Sequence, residues 1–116
     1  MTERTLIEAE ITFLPKSEGG RDILGKIFQD SQYRPHIVIN NPRQLNVSVA
    51  DKDYLGVAFV DGPQLVEFGL PVKTTMLLTY WPRVDYSAVL PESTFTLREG
   101  GRTIAFGRVK KRWTEQ

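Results

Sequence analysis

The chain contains no cysteine, one histidine and two methionines in 116 residues. Without cysteine there can be no disulfide, no thiolate nucleophile and no cysteine-ligated metal; the composition suits a reducing compartment. A lone histidine, His36, would need carboxylates alone beside it to hold a metal, which is a weak donor set. No apolar run approaches the roughly 20 residues that span a bilayer. The start, Met1-Thr-Glu-Arg-Thr, has no apolar stretch behind a basic one, so no signal peptide is expected and the expected location is the cytoplasm. Net charge is also lacking: 15 basic residues stand against 14 acidic ones. Attraction for nucleic acid must therefore come from a local patch rather than from the field of the whole molecule.

What the chain does have is alternation. A period of two recurs through Leu6–Leu14, Tyr33–Ile39, Gln44–Val49, Tyr54–Val60, Pro71–Trp81, Ser93–Arg98 and Thr103–Arg112. These runs are separated by Asn40-Asn41-Pro42, Asp51-Lys52-Asp53, Asp61-Gly62-Pro63 and the stretch from Pro82 to Pro91, all turn-forming chemistry. Pro15 to Gln32 reads as a Gly-rich, charged loop with at most one helical turn around Ile23 to Phe28. Many short strands with regular turns predict one all-β domain over 1–116, a closed antiparallel barrel of six or seven strands.

The segment Phe95 to Val109 is the clearest hairpin. Gly100-Gly101 fits a two-residue turn with positive φ, flanked by Glu99 and Arg102. That register sets Leu97 against Ile104 and Phe95 against Phe106. Continued alternation would then bury Arg108, Lys110 and Arg112, a prohibitive burial of unpaired cations. A bulge at Gly107 is expected to shift the parity. It would turn the three cations outward in a row about 7 Å apart and turn Val109 and Trp113 inward.

Enzymatic motifs fare poorly. Gly20 to Lys26 has the spacing of a phosphate-binding loop, but Ile27 stands where a magnesium-binding hydroxyl is required, and no βαβ pattern surrounds it. No nucleotide and no cofactor is expected. There is no Gly-x-Ser-x-Gly elbow to go with His36, which reads more simply as a packed or hydrogen-bonded strand residue. Glu8 and Glu10 share one strand face as a solvated pair. An enzyme of unknown chemistry ranks last among the readings.

Three motifs in order, Ser17-Glu-Gly-Gly-Arg21, Tyr33-Arg34-Pro35 and Phe95 to Val109 with its Glu-Gly-Gly-Arg core, give the chain a resemblance to a known module. It is similar, from about Glu8 to Lys111, to the C-terminal β-barrel (domain III) of elongation factor Tu and related translational GTPases. The resemblance implies a closed antiparallel barrel that, in that family, packs on a GTPase domain, helps hold the T-stem of aminoacyl-tRNA and takes part in binding the exchange factor. Carried over by position, Glu99 and Gly100 would approach the T-stem, and His36 stands where the family usually has glutamine. The aromatic run that follows there becomes Ile37-Val38-Ile39, and the middle from Asn46 to Trp81 aligns loosely.

No GTP-binding domain accompanies the barrel in this chain, so the first expectation is a non-catalytic module that engages a protein or protein–tRNA complex of the translation machinery. The alternative is autonomous RNA binding. Candidate RNA-binding residues are Glu99, Gly100, Arg102, Arg108, Lys110, Arg112, His36 and Arg21; candidate protein contacts are Tyr33, Arg34, Trp81 and Tyr86. The face that docks on the GTPase domain in the family would be uncovered here, so a homodimer is a further option. No membrane partner is expected.

Overall fold

The computed structural model describes residues 3–15, 35–40, 55–62 and 67–115. Six strands run through them: β1 (Arg4–Phe13), β2 (His36–Ile39), β3 (Leu55–Asp61), β4 (Pro71–Leu78), β5 (Thr94–Glu99) and β6 (Arg102–Glu115). Every pairing is antiparallel, and the order β1-β4-β3-β2-β5-β6 returns from β6 to β1, so the sheet closes in a ring. Closure gives each of the six a neighbour on both sides and removes the exposed edges that invite aggregation. The expected strand at Gln44–Val49 and the glycine-rich loop lie outside the described residues. No helix among the described residues is long and apolar enough to cross a membrane.

Alternation makes the interior. Ile7, Ala9, Ile11 and Phe13 of β1 point inward, with Ile37, Leu55, Val57, Met76, Leu78, Phe95, Leu97, Ile104, Ala105 and Val109 facing them from the other strands. Tyr86 and Val89 complete this cluster from a segment, residues 79–93, that joins β4 to β5 and is called the strap below. Strand β4 stops at Leu78, three residues short of the expected Trp81. The chain turns there, and Trp81 N–H donates to the Leu78 carbonyl at 3.3 Å.

Strand β6 is where expectation and structure part. The hairpin turn falls on Gly100-Gly101, with Glu99 opposite Arg102. Gly100 has φ of 58° and Gly101 is not in the positive region, the pattern of a type II′ turn. The parity shift, however, comes at Ile104 and not at Gly107. Arg98 pairs with Thr103 and Leu97 with Ala105, so Ile104 is the extra residue and both Ile104 and Ala105 are buried. Phe95 thereby faces Gly107, while Phe106 faces Thr96 and stands 49% exposed on the outer surface.

Packing explains the choice. The interior already holds Phe13, Phe95 and Tyr86, and a close-packed core of this width has little room for a fourth large ring. Gly107 is needed for a different reason from a bulge. A Cβ there would come 2.8 Å from the Phe95 ring and 2.6 Å from the Glu10 carbonyl, so only hydrogen fits.

A second irregularity on β6 lies further along. Glu8 pairs with Lys111 but Ala9 with Val109, which leaves Lys110 as the extra residue. Val109 is inward, as expected. Trp113 pairs with Leu6 and shares its face, opposite to that of Ile7, so it is not turned into the core. Arg112 pairs with Ile7 and takes the inward parity instead. The expected outward row of Arg108, Lys110 and Arg112 is therefore broken by its own bulge.

Candidate binding surfaces

Two places gather the residues singled out from the sequence, one at each end of β5. The strap precedes that strand and the glycine hairpin follows it.

At the hairpin end, His36 pairs with Arg98 across β2 and β5, one residue from Glu99. Two motifs more than sixty residues apart in sequence thus meet at one rim. The Arg102 guanidinium bonds the Glu99 carboxylate at 2.9 Å, bracing the turn, and Arg98 Nε donates to Thr96 Oγ1 at 3.0 Å. Burial, and secondly the positive charge of Arg98, lowers the His36 pKa below its ordinary 6.5. His36 is therefore a neutral imidazole at neutral pH, a hydrogen-bonding group and not a cation. Nothing stands within 4 Å of where a Cβ would be at Gly100 or Gly101, so the turn's backbone is open to a partner. Arg21, Tyr33 and Arg34 lie outside the described residues.

At the strap end the side chains interlock. The Tyr86 hydroxyl donates to the Gly56 carbonyl at 2.6 Å and accepts from the Tyr80 N–H at 3.2 Å. Arg112 Nη1 donates to the carbonyls of Tyr86 at 2.7 Å and Val89 at 3.0 Å. The same guanidinium lies 4.8 Å from the centre of the Trp81 ring, and Trp81 meets Tyr86 edge to face at 6.5 Å. Tyr86 is wholly buried. Its place among the candidate protein contacts is corrected: it is a core residue, amphipathic enough to carry its hydroxyl to a strand carbonyl inside the ring. Arg112 is likewise a structural clamp across the strap and not an outward cation. Trp81, 37% exposed, keeps a face to solvent.

The remaining cations of β6 lie on the outer surface beside the carboxylates of β1. Arg108 stands opposite Glu10 and Lys111 opposite Glu8. Arg108 bonds Glu92 of the strap at 3.1 Å, and Lys73 of β4 reaches Glu8 at 3.6 Å. A shallow groove of about 210 Å³ runs here between Glu10, Thr12, Asn40, Thr94, Phe106 and Arg108. The exposure of Phe106 and the inward turn of Arg112 were missed in the sequence, because each depends on a single inserted residue in the ladder. The recurrence of apolar neighbours Ile104-Ala105 was the available sign of the first insertion.

No group of three or more metal-ligating side chains comes together among the described residues. Comparison of the chain with protein-family models and with curated proteins gave no match.

Proposed function

We propose that the protein is a non-catalytic binding module of the elongation factor Tu C-terminal barrel type, which engages a protein or protein–tRNA complex of the translation machinery in the cytoplasm. The observation that carries this reading is the hairpin rim. His36, from the motif after Tyr33-Arg34-Pro35, stands beside Arg98 and next to the Glu99-Gly100 turn. In the resembling module the positions of His36, Glu99 and Gly100 face the T-stem of aminoacyl-tRNA. A rigid turn with open backbone and a braced Glu99–Arg102 pair suits recognition, because little ordering remains to be done on binding.

A pull-down from lysate with the tagged chain, with and without ribonuclease, tests it. The expected result is a translation protein that survives ribonuclease and is lost when Glu99 and Arg102 are both replaced by alanine. A chain that captures nothing above a folded control protein would overturn the reading.

The same rim supports a second reading, direct binding of an RNA stem, since Arg98 and Arg102 flank an open glycine backbone able to approach a shallow minor groove. It requires log K to fall with log salt at about −0.9 per phosphate contacted. A titration with tRNA that shows no salt slope would exclude it.

A further inference from the structure

The outer face at the seam of β1 and β6 has an unusual order. Along the middle of β6 the outward residues are Phe106, Arg108, the bulged Lys110 and Lys111; beside them on β1 stand Thr12, Glu10 and Glu8. Over this stretch one strand carries cations and its neighbour carboxylates; at the end of the seam the signs reverse, where Arg4 of β1 pairs with Glu115 of β6 at 2.8 Å. In the middle stretch the pairs made within the chain are not across the seam: Arg108 is taken by Glu92 and Glu8 by Lys73. Among the described residues Glu10, Lys110 and Lys111 make no ion pair. Phe106 heads the cationic column, half exposed in the middle of a strand face, where its ring gains nothing from water.

We propose that this face docks a second copy of the chain, about a twofold axis lying along the β1–β6 seam. Such a rotation sets β6 of one copy over β1 of the other. Arg108 then meets Glu10 and Lys111 meets Glu8, and each contact is repeated by symmetry. Phe106 of each copy covers Thr12 of its mate and closes the groove beside Gly107. The argument for a second copy over a foreign protein is this self-complementarity. An isologous interface needs a surface that matches its own rotated image, and two adjacent columns of opposite charge match under this rotation. A foreign partner would require no such arrangement. The association is weak and salt-sensitive, because exposed ion pairs are screened, and Phe106 is its apolar anchor. The proposal does not depend on the reading of the hairpin rim.

Sedimentation equilibrium of the full chain tests it. The expected mass rises with concentration from 13.2 kDa towards twice that value, and added salt weakens the rise. Phe106→Ser weakens association at least tenfold, about 1.4 kcal/mol, with the circular dichroism of the folded chain retained. Two charge-reversed chains, Glu8→Lys with Glu10→Lys and Arg108→Glu with Lys111→Glu, are each monomeric alone and form a dimer when mixed. A wild-type chain that stays monomeric throughout overturns the proposal. So does a dimer indifferent to Phe106→Ser. Capture of a lysate protein by a monomeric chain, abolished by Phe106→Ser, assigns the face to a foreign partner and overturns it equally.

Discussion

At the strap end of the ring a phenol, a guanidinium and an indole interlock, with Tyr86 reaching Gly56 inside the sheet and Arg112 bonding two strap carbonyls. At the hairpin end the chain reverses on two glycines, with the Glu99–Arg102 ion pair across the turn. The difference is one of burial. Polar groups removed from water must find partners, and at the strap they find them in the backbone, which locks the segment. At the hairpin Arg102 stays half exposed and the glycine backbone is open, while His36 and Glu99 are only partly buried. The strap is thus tied into the interior, while the hairpin leaves its turn backbone open.

That contrast can be broken from the strap side first. Tyr86→Ala empties a fully buried aromatic site and removes the bond to Gly56, so a loss of about 4 kcal/mol in urea unfolding is expected. A loss below about 1 kcal/mol would mean that the strap is not part of the core. Arg112→Met keeps the side chain's length but takes the donor from the Val89 carbonyl and leaves the Tyr86 carbonyl only the Val89 N–H, and about 2 kcal/mol of stability should go with it. Protection of the strap amides from hydrogen exchange should fall at the same time, while the β5–β6 amides keep theirs.

The hairpin should respond less in stability. Gly100→Ala forces a Cβ into the left-handed region, and a loss of about 1 kcal/mol is expected. Its thermal midpoint should drop while the space around the turn stays empty. Arg102→Ala removes an exposed ion pair, half solvated on its arginine side, and should change stability by no more than about 0.5 kcal/mol. A larger change would show that the turn is held more tightly than its surface position requires.

His36 sharpens the comparison through pH. Its folded pKa lies below the ordinary 6.5, so the unfolded chain takes up a proton first as the pH falls. Stability is therefore full above the unfolded value and declines as the pH drops through 6.5 towards the folded pKa. Urea midpoints from pH 8 down to pH 5 should fall in the wild type, and His36→Gln should flatten that part of the curve. A parallel decline in both chains would place the titration elsewhere.

Much of the framework is legible in the residues. Leu6 to Phe13 alternates cleanly and becomes β1; Glu99-Gly-Gly-Arg102 demands a tight turn and makes one; Val109 faces in as its pattern requires. The rim could be reached only by joining two motifs that are distant in the chain. The register of β6 was legible at the turn, but past it only the apolar neighbours Ile104-Ala105 hinted at the shift. Gly107 looked like the bulge because glycine commonly serves as one, yet its role is to leave room for the Phe95 ring. A single residue moved from Gly107 to Ile104 sends Phe106 out, and a second insertion at Lys110 brings Arg112 in.

The order of strands and turns, the polarity of each strand face and the position of the hairpin follow from local chemistry: apolar alternation, proline and glycine punctuation, and the cost of burying charge. Ladder register, the closure of the ring, the capture of Arg112 by the strap and the exposure of Phe106 follow from a different constraint. They depend on how much volume the interior can hold once all six strands surround it, and that is a property of the assembled walls rather than of any one strand.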